Sequence, residues 1–191
     1  MKKIRFAIEM GGAYTCIYVK DEGLALKEPT LIAAEPSEDG YKVVAMGNDA
    51  KKLVGKTKEN VEIFTPSAFG ENSNYQYSVI LLKHFLKKVG FKPYEDIALI
   101  IVPCGLPAKE KENILNVCEG ANMGYVTLVP SVLCSCVGEG RSIDTSKVNM
   151  VVDIGGTSTE IAVINMSSIL KGATLGIGGR SIDVAILNYL A

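Results

Sequence analysis

Two short stretches hold most of the chemistry in this sequence. Each sets an acid, one apolar residue and two glycines between β-branched runs, with hydroxyl residues following. They are Glu9-Met10-Gly11-Gly12-Ala13-Tyr14-Thr15 and Asp153-Ile154-Gly155-Gly156-Thr157-Ser158-Thr159. Glycine allows a tight turn and a close approach to a ligand. The backbone N–H groups of such a turn can surround an anion such as a triphosphate. Thr15, Thr157, Ser158 and Thr159 add hydroxyl donors. Glu9 and Asp153 are placed to hold Mg²⁺, usually through water. One such turn is an ordinary hairpin, and its repetition is what argues for a site. Two copies of one supersecondary unit imply two related halves with a nucleotide between them.

The composition suits a globular chain. Of 191 residues, 48% are hydrophobic and 21% charged, and the net charge is −1, which argues against a nucleic-acid binder with a general basic surface. No apolar run reaches the roughly 18 residues of a membrane span. The basic start is interrupted by Glu9 and Gly11-Gly12, so it makes a poor signal peptide and reads as the first strand of a cytoplasmic protein. Five cysteines, an odd number inside apolar segments, fit reduced thiols. Cys134-x-Cys136 lacks a second pair or a nearby histidine to complete a metal site.

The elements that must carry the two loops alternate in an α/β pattern. Strands are expected at 4–8, 16–20, 24–34, 42–47, 61–64, 97–102, 125–129, 148–154, 160–165 and 169–175. The 97–102 and 148–154 strands read as buried. Turns fall at Gly23 and at Pro36–Gly40. Helices are expected at 49–54, 75–89, 107–119 and 132–137, and one starts at Ser181. The 75–89 helix rests on apolar residues at Val79, Leu82, Phe85, Leu86 and Val89.

The two loops resemble those of the superfamily of actin, heat-shock chaperones and sugar kinases. Val151 to Val163 is similar, almost residue by residue, to the second phosphate loop of the MreB family of bacterial actin-like ATPases. Ile17–Lys20, Leu26–Thr30, Met46–Lys51 and Val102–Leu106 also resemble that family. Gly178-Gly179-Arg180 resembles its glycine pair that opens a helix. The resemblance covers essentially the whole chain. It implies an actin-like, ribonuclease H-like fold, with a first half at 1–145, a small inserted subdomain near 31–73, and a second half that starts at 146. It implies ATP and Mg²⁺ as cofactors. Glu9, Gly11, Gly12, Thr15, Asp153, Gly155, Gly156, Thr157, Ser158, Gly178 and Gly179 would bind the nucleotide, and Glu9 and Asp153 the metal. Glu110, on the helix after the Val-Pro-x-Gly turn, matches the family's catalytic acid, which orients water on the γ-phosphate.

Four positions depart from the family pattern. The first acid is Glu9 instead of Asp, a threonine is replaced by Gly12, and a third glycine by Thr157. Ser131 stands where the family places an acid. These departures weaken metal handling and hydrolysis more than binding. Ala191 falls about halfway along the family's length, before its adenine-binding glycine turn, so turnover by these residues alone is expected to be very slow or absent. The implied role is an ATP-dependent filament, built by self-association, that organises cell-wall machinery at the membrane. Two alternatives are a non-catalytic scaffold of the same fold and an ATPase partner of a division, pilus or plasmid-segregation machine.

Overall fold

The computed structural model describes residues 4–38, 40–56, 60–66 and 74–190. Asp39 of the expected Pro36–Gly40 turn lies outside them, as do 57–59 and 67–73 of the expected inserted subdomain. Residues group into two compact units, 1–99 with 108–127, and 100–107 with 128–191.

The first unit opens with β1 (Ile4–Met10), β2 (Tyr14–Val19) and β3 (Gly23–Pro29), paired antiparallel in sequence order. The register sets Phe6 opposite Val19 and Ile8 opposite Ile17. Strand alternation then puts all four on one buried face. Next come β4 (Ile32–Ser37), β5 (Gly40–Met46), α1 (Asn48–Leu53), β6 (Glu62–Phe64) and α2 (Tyr75–Lys88). A separate three-stranded sheet has the order β5-β4-β6. In α2 the helical period buries Leu81, Leu82, Phe85 and Leu86. Burial of each is worth about 1.5–3 kcal/mol. The Phe6 and Phe91 rings meet edge-on at 5.1 Å.

The chain continues through β7 (Ile97–Val102), α3 (Ala108–Gly120) and β8 (Tyr125–Pro130). The main sheet has the order β3-β2-β1-β7-β8, its last two strands running on into the second unit. β7 buries one face fully and the other only partly, where burial on both faces is expected from the sequence.

The expected single strand at 24–34 is two strands in two different sheets. Pro29 stays in register opposite Tyr14, at the edge of the main sheet. The Thr30 N–H carries the β2–β3 register one pair further, donating to the Ala13 carbonyl at 3.0 Å, and the chain turns only at Leu31, whose N–H bonds back to the Pro29 carbonyl at 2.8 Å. The break therefore sits where the chain reaches the first glycine loop.

The second unit contains α4 (Ser131–Gly138), β9 (Asn149–Ile154), β10 (Thr159–Asn165), β11 (Ser168–Leu175) and α5 (Gly179–Leu190). Its sheet has the order β11-β10-β9, antiparallel throughout. Cys104, Val132, Cys136, Ala162 and Ile164 form its core. β9 is not the fully buried strand its apolar run suggests. Met150, Val152 and Ile154 are exposed, because α4 covers one face of the sheet and leaves theirs open. No side chain of α5 is buried. Among the described residues, no helix is long and apolar enough to cross a membrane.

Candidate functional site

The two glycine loops are built alike, and each lies within one unit. In the first, Glu9 pairs with Cys16 and Met10 with Thr15 across the hairpin. In the second, Asp153 pairs with Glu160 and Ile154 with Thr159. Each turn is closed by the same bond. Gly11 N–H donates to the Tyr14 carbonyl at 3.0 Å, and Gly155 N–H to the Ser158 carbonyl at 2.8 Å. A β-carbon on Gly11 would stand 2.9 Å from the Tyr14 oxygen, and one on Gly155 would stand 3.1 Å from the Ser158 oxygen. Any side chain would therefore crowd the closure, which accounts for glycine at these two positions.

Both loops are also gripped from behind. The Gly11 carbonyl accepts the Thr30 hydroxyl at 2.7 Å, and Thr30 Oγ1 lies 3.0 Å from Thr15 Oγ1. The Gly155 carbonyl accepts Gly179 N–H at 3.0 Å, and the Gly156 carbonyl accepts Arg180 N–H at 2.8 Å. The first-turn amides of α5, which have no partner within their own helix, are thus spent on the second loop. Gly178 makes this possible. Its β-carbon would meet the Gly155 oxygen at 2.7 Å and the Ser158 nitrogen at 2.8 Å.

The acids sit differently. The Asp153 carboxylate is partly buried and accepts the Ser135 hydroxyl from α4 at 2.8 Å. Glu9 is exposed. Across from it, the Cys16 thiol is pushed up by burial and, secondarily, by the Glu9 carboxylate. Thr157 is exposed, whereas Gly11, Gly12, Gly156, Ser158 and Gly179 are partly buried. Thr15, expected among the hydroxyls that face a phosphate, is fully buried against Thr30. Glu110 lies in the first turn of α3 and is partly buried. Among the described residues, no hydrogen bond or ion pair ties it to the first loop.

A third carboxylate has no motif to mark it in the sequence. Glu160, 6% exposed, accepts Cys104 N–H at 2.7 Å and the Ser131 hydroxyl at 2.8 Å on one oxygen. Its only sequence signal is a charge within the apolar run of β10. Ser131, the departure from the expected acid, is therefore a donor to another acid. Ser135 was hidden among the small residues of α4, and Thr30 carries no local signal at all.

The two loops fit a nucleotide phosphate group on their donor chemistry. Each is a turn closed to side chains, has its carbonyls drawn back, and follows a strand with an acid next to its end.

A family model described as MreB/Mbl protein matches residues 3–191. The cell shape-determining protein MreB of Escherichia coli strain K12 is 33% identical over 189 residues, covering 96% of this chain and 54% of that protein. The cell shape-determining protein Mbl of Bacillus subtilis strain 168 is 32% identical over 185 residues, covering 96% and 55%. The crystal structure of MreB5 of Spiroplasma citri bound to ADP superposes with a TM-score of 0.87 at 25% identity, covering 97% of this chain and 55% of that one. The same protein bound to AMPPNP gives 0.86 at 26% identity, covering 98% and 57%. The fold is the actin-like α/β fold expected from the sequence, and the chain spans about half the length of the curated relatives it matches. On the match over residues 3–191, the chain belongs to the MreB/Mbl protein family.

Proposed function

We propose that this chain carries the phosphate-binding loops of an ATP-binding, actin-like cytoskeletal protein that acts in cell-shape determination. The observation that carries the reading is the shared construction of the two glycine loops, each closed by the same N–H to carbonyl bond and each preceded by an acid. Relatives named for cell-shape determination, and a structural neighbour bound to ADP and to AMPPNP, support it. The backbone amides of Gly12 and Gly156 would face the phosphates. Thr157 and Ser158 would add hydroxyl donors, and Gly178 and Gly179 would hold the second loop in place. Asp153, aimed by Ser135, and Glu9 would hold Mg²⁺, which supplies charge neutralisation of the phosphates when bound. Glu110 would orient water. The protein is cytoplasmic in this reading. It self-associates into filaments through head-to-tail contacts and works beside the cell-wall machinery at the membrane.

Titration of fluorescently labelled ATP with Mg²⁺ against the wild type and Asp153→Ala tests the site. Weaker binding by the variant is expected, and equal affinity removes Asp153 from it.

A second reading, a filament or scaffold subunit without turnover, is favoured by one contact. Ser131 occupies the position of the family's acid and spends its hydroxyl on Glu160. Phosphate release by a full-length version of the protein separates the two readings.

A further inference from the structure

We propose that Thr30 is a positioning residue for phosphate binding, at the end of a buried Thr15–Thr30–Gly11 hydroxyl relay that aims the Gly12 amide at the nucleotide. This rests on the nucleotide reading given above.

The direction of the relay follows from counting protons. A threonine hydroxyl has one proton to donate. That of Thr30 goes to the Gly11 carbonyl, at 2.7 Å. The 3.0 Å contact between the two hydroxyls must then be a donation from Thr15 to Thr30. Thr15 and Thr30 are 0% and 2% exposed, so water does not compete for either bond. Thr15 thus acts on the loop through Thr30, with no hydroxyl facing solvent.

Thr30 holds the loop twice. Its hydroxyl takes the Gly11 carbonyl, and its N–H takes the Ala13 carbonyl at 3.0 Å. In a trans peptide the carbonyl of one residue and the N–H of the next point in opposite directions. Drawing the Gly11 carbonyl inward therefore turns the Gly12 N–H outward. Without the hydroxyl, the Gly11–Gly12 peptide is free to flip, because glycine tolerates both orientations. The donor would then point away from a bound anion.

The second loop reaches the same end by other means. There the Gly155 carbonyl is drawn back by Gly179 N–H of α5, which turns the Gly156 N–H outward. Among the described residues, no helix terminus bonds to the first loop in that way. One threonine, set beside the loop by the β2–β3 register, does the same work with its side chain and its own amide.

The test compares wild type, Thr30→Val, Thr30→Ser and Thr15→Val in titrations with labelled ATP and Mg²⁺. Thermal melts confirm folding, and hydrogen exchange is followed at the Gly12 amide. Thr30→Val keeps the shape and loses the proton. It should bind about ten-fold more weakly, the worth of one well-aimed hydrogen bond, and should lose nucleotide-dependent protection at Gly12. Thr30→Ser keeps the proton and should stay within about two-fold of wild type, a rescue that a merely space-filling residue would not show. A folded Thr30→Val with wild-type affinity overturns the proposal and leaves the nucleotide reading standing. Should Thr30→Val not fold, Thr15→Val decides. It releases the Thr30 hydroxyl to turn from Gly11 and should cost about three-fold, whereas unchanged affinity overturns the relay. A wild-type chain that binds no ATP overturns both readings.

Discussion

Ser131 donates to the same Glu160 oxygen, at 2.8 Å, that accepts the Cys104 amide at 2.7 Å. A buried carboxylate is thus tied to the start of α4 and to the loop after β7. Removing one donor leaves the charge short of a partner, which costs about 1–3 kcal/mol. Ser131→Ala should lower the unfolding free energy by that amount in urea titrations. Combining it with Glu160→Gln should give clear non-additivity, since the two residues share one bond. Restoring the family's acid with Ser131→Glu should destabilise more, because it sets a second carboxylate beside Glu160.

Gly178 presses on the backbone of the second loop. An added methyl would meet the Gly155 oxygen at 2.7 Å, the Gly156 carbonyl carbon at 2.8 Å and the Ser158 nitrogen at 2.8 Å. None of these is a flexible side chain that can swing aside. Gly178→Ala should therefore cost about 1–3 kcal/mol of stability and weaken ATP binding in parallel. Gly176, two residues earlier, has open space around it. Gly176→Ala is the control, and its melt and affinity should match wild type.

Lys88 Nζ lies 2.7 Å from Glu28 Oε1, while Asn48 N–H donates to the other oxygen at 3.0 Å. Burial alone would raise the Glu28 carboxyl, but these donors outweigh it and hold the group below its ordinary value of 4.5. A carboxyl that binds its proton less readily when folded stabilises fully above that value, and the contribution is lost as pH falls through the folded value. The stability gap between wild type and Lys88→Met should be about 1 kcal/mol at neutral pH, since Lys88 is partly solvated and the pair is screened by salt. It should shrink below pH 4.5. His84 is held below its ordinary 6.5 by burial first and by Lys88 next. It adds a separate loss of stability as pH falls below 6.5, which His84→Gln should remove.

ATP turnover should be very slow or absent. Gly12 offers no hydroxyl, and Ser131 is engaged with Glu160, so the polar set that aims water at a γ-phosphate is reduced. A phosphate-release assay should show background rates in wild type and Glu110→Ala alike. Turnover that disappears in Glu110→Ala would contradict this.

The open faces of the second unit should make the 191-residue chain self-associate. Met150, Val152 and Ile154 on β9, and Ile182, Ile186, Leu187, Tyr189 and Leu190 on α5, are all exposed. Apolar surface of this extent rarely stays in water. Sedimentation at micromolar concentration should show dimers or larger species. The double variant Ile186→Glu, Leu187→Glu should shift them toward monomer. A wild-type monomer would count against these faces as contacts.

The elements were legible wherever the signal was local. The helical period of Tyr75–Lys88, the apolar run of Ile97–Val102 and the acid–x–Gly–Gly repeats each mark their own structure, because the residues that define them are neighbours in the chain. So was the actin-like fold, through the order of those motifs. What the sequence did not reveal depends on residues far apart. Thr30, in line with the β2–β3 register, gives its N–H to Ala13 and its hydroxyl to Gly11, and nothing at Thr30 itself announces that. The exposure of one face of β9 reflects which neighbours cover it, a fact absent from its own apolar residues.

By itself, then, the sequence determined that two glycine turns exist, each with an acid before it, since turn chemistry and strand pattern are written in adjacent residues. The tertiary structure alone decided which way each turn points its amides. That orientation depends on where a carbonyl finds its partner, and the partners, Thr30 for Gly11 and Gly179 for Gly155, come from elsewhere in the chain.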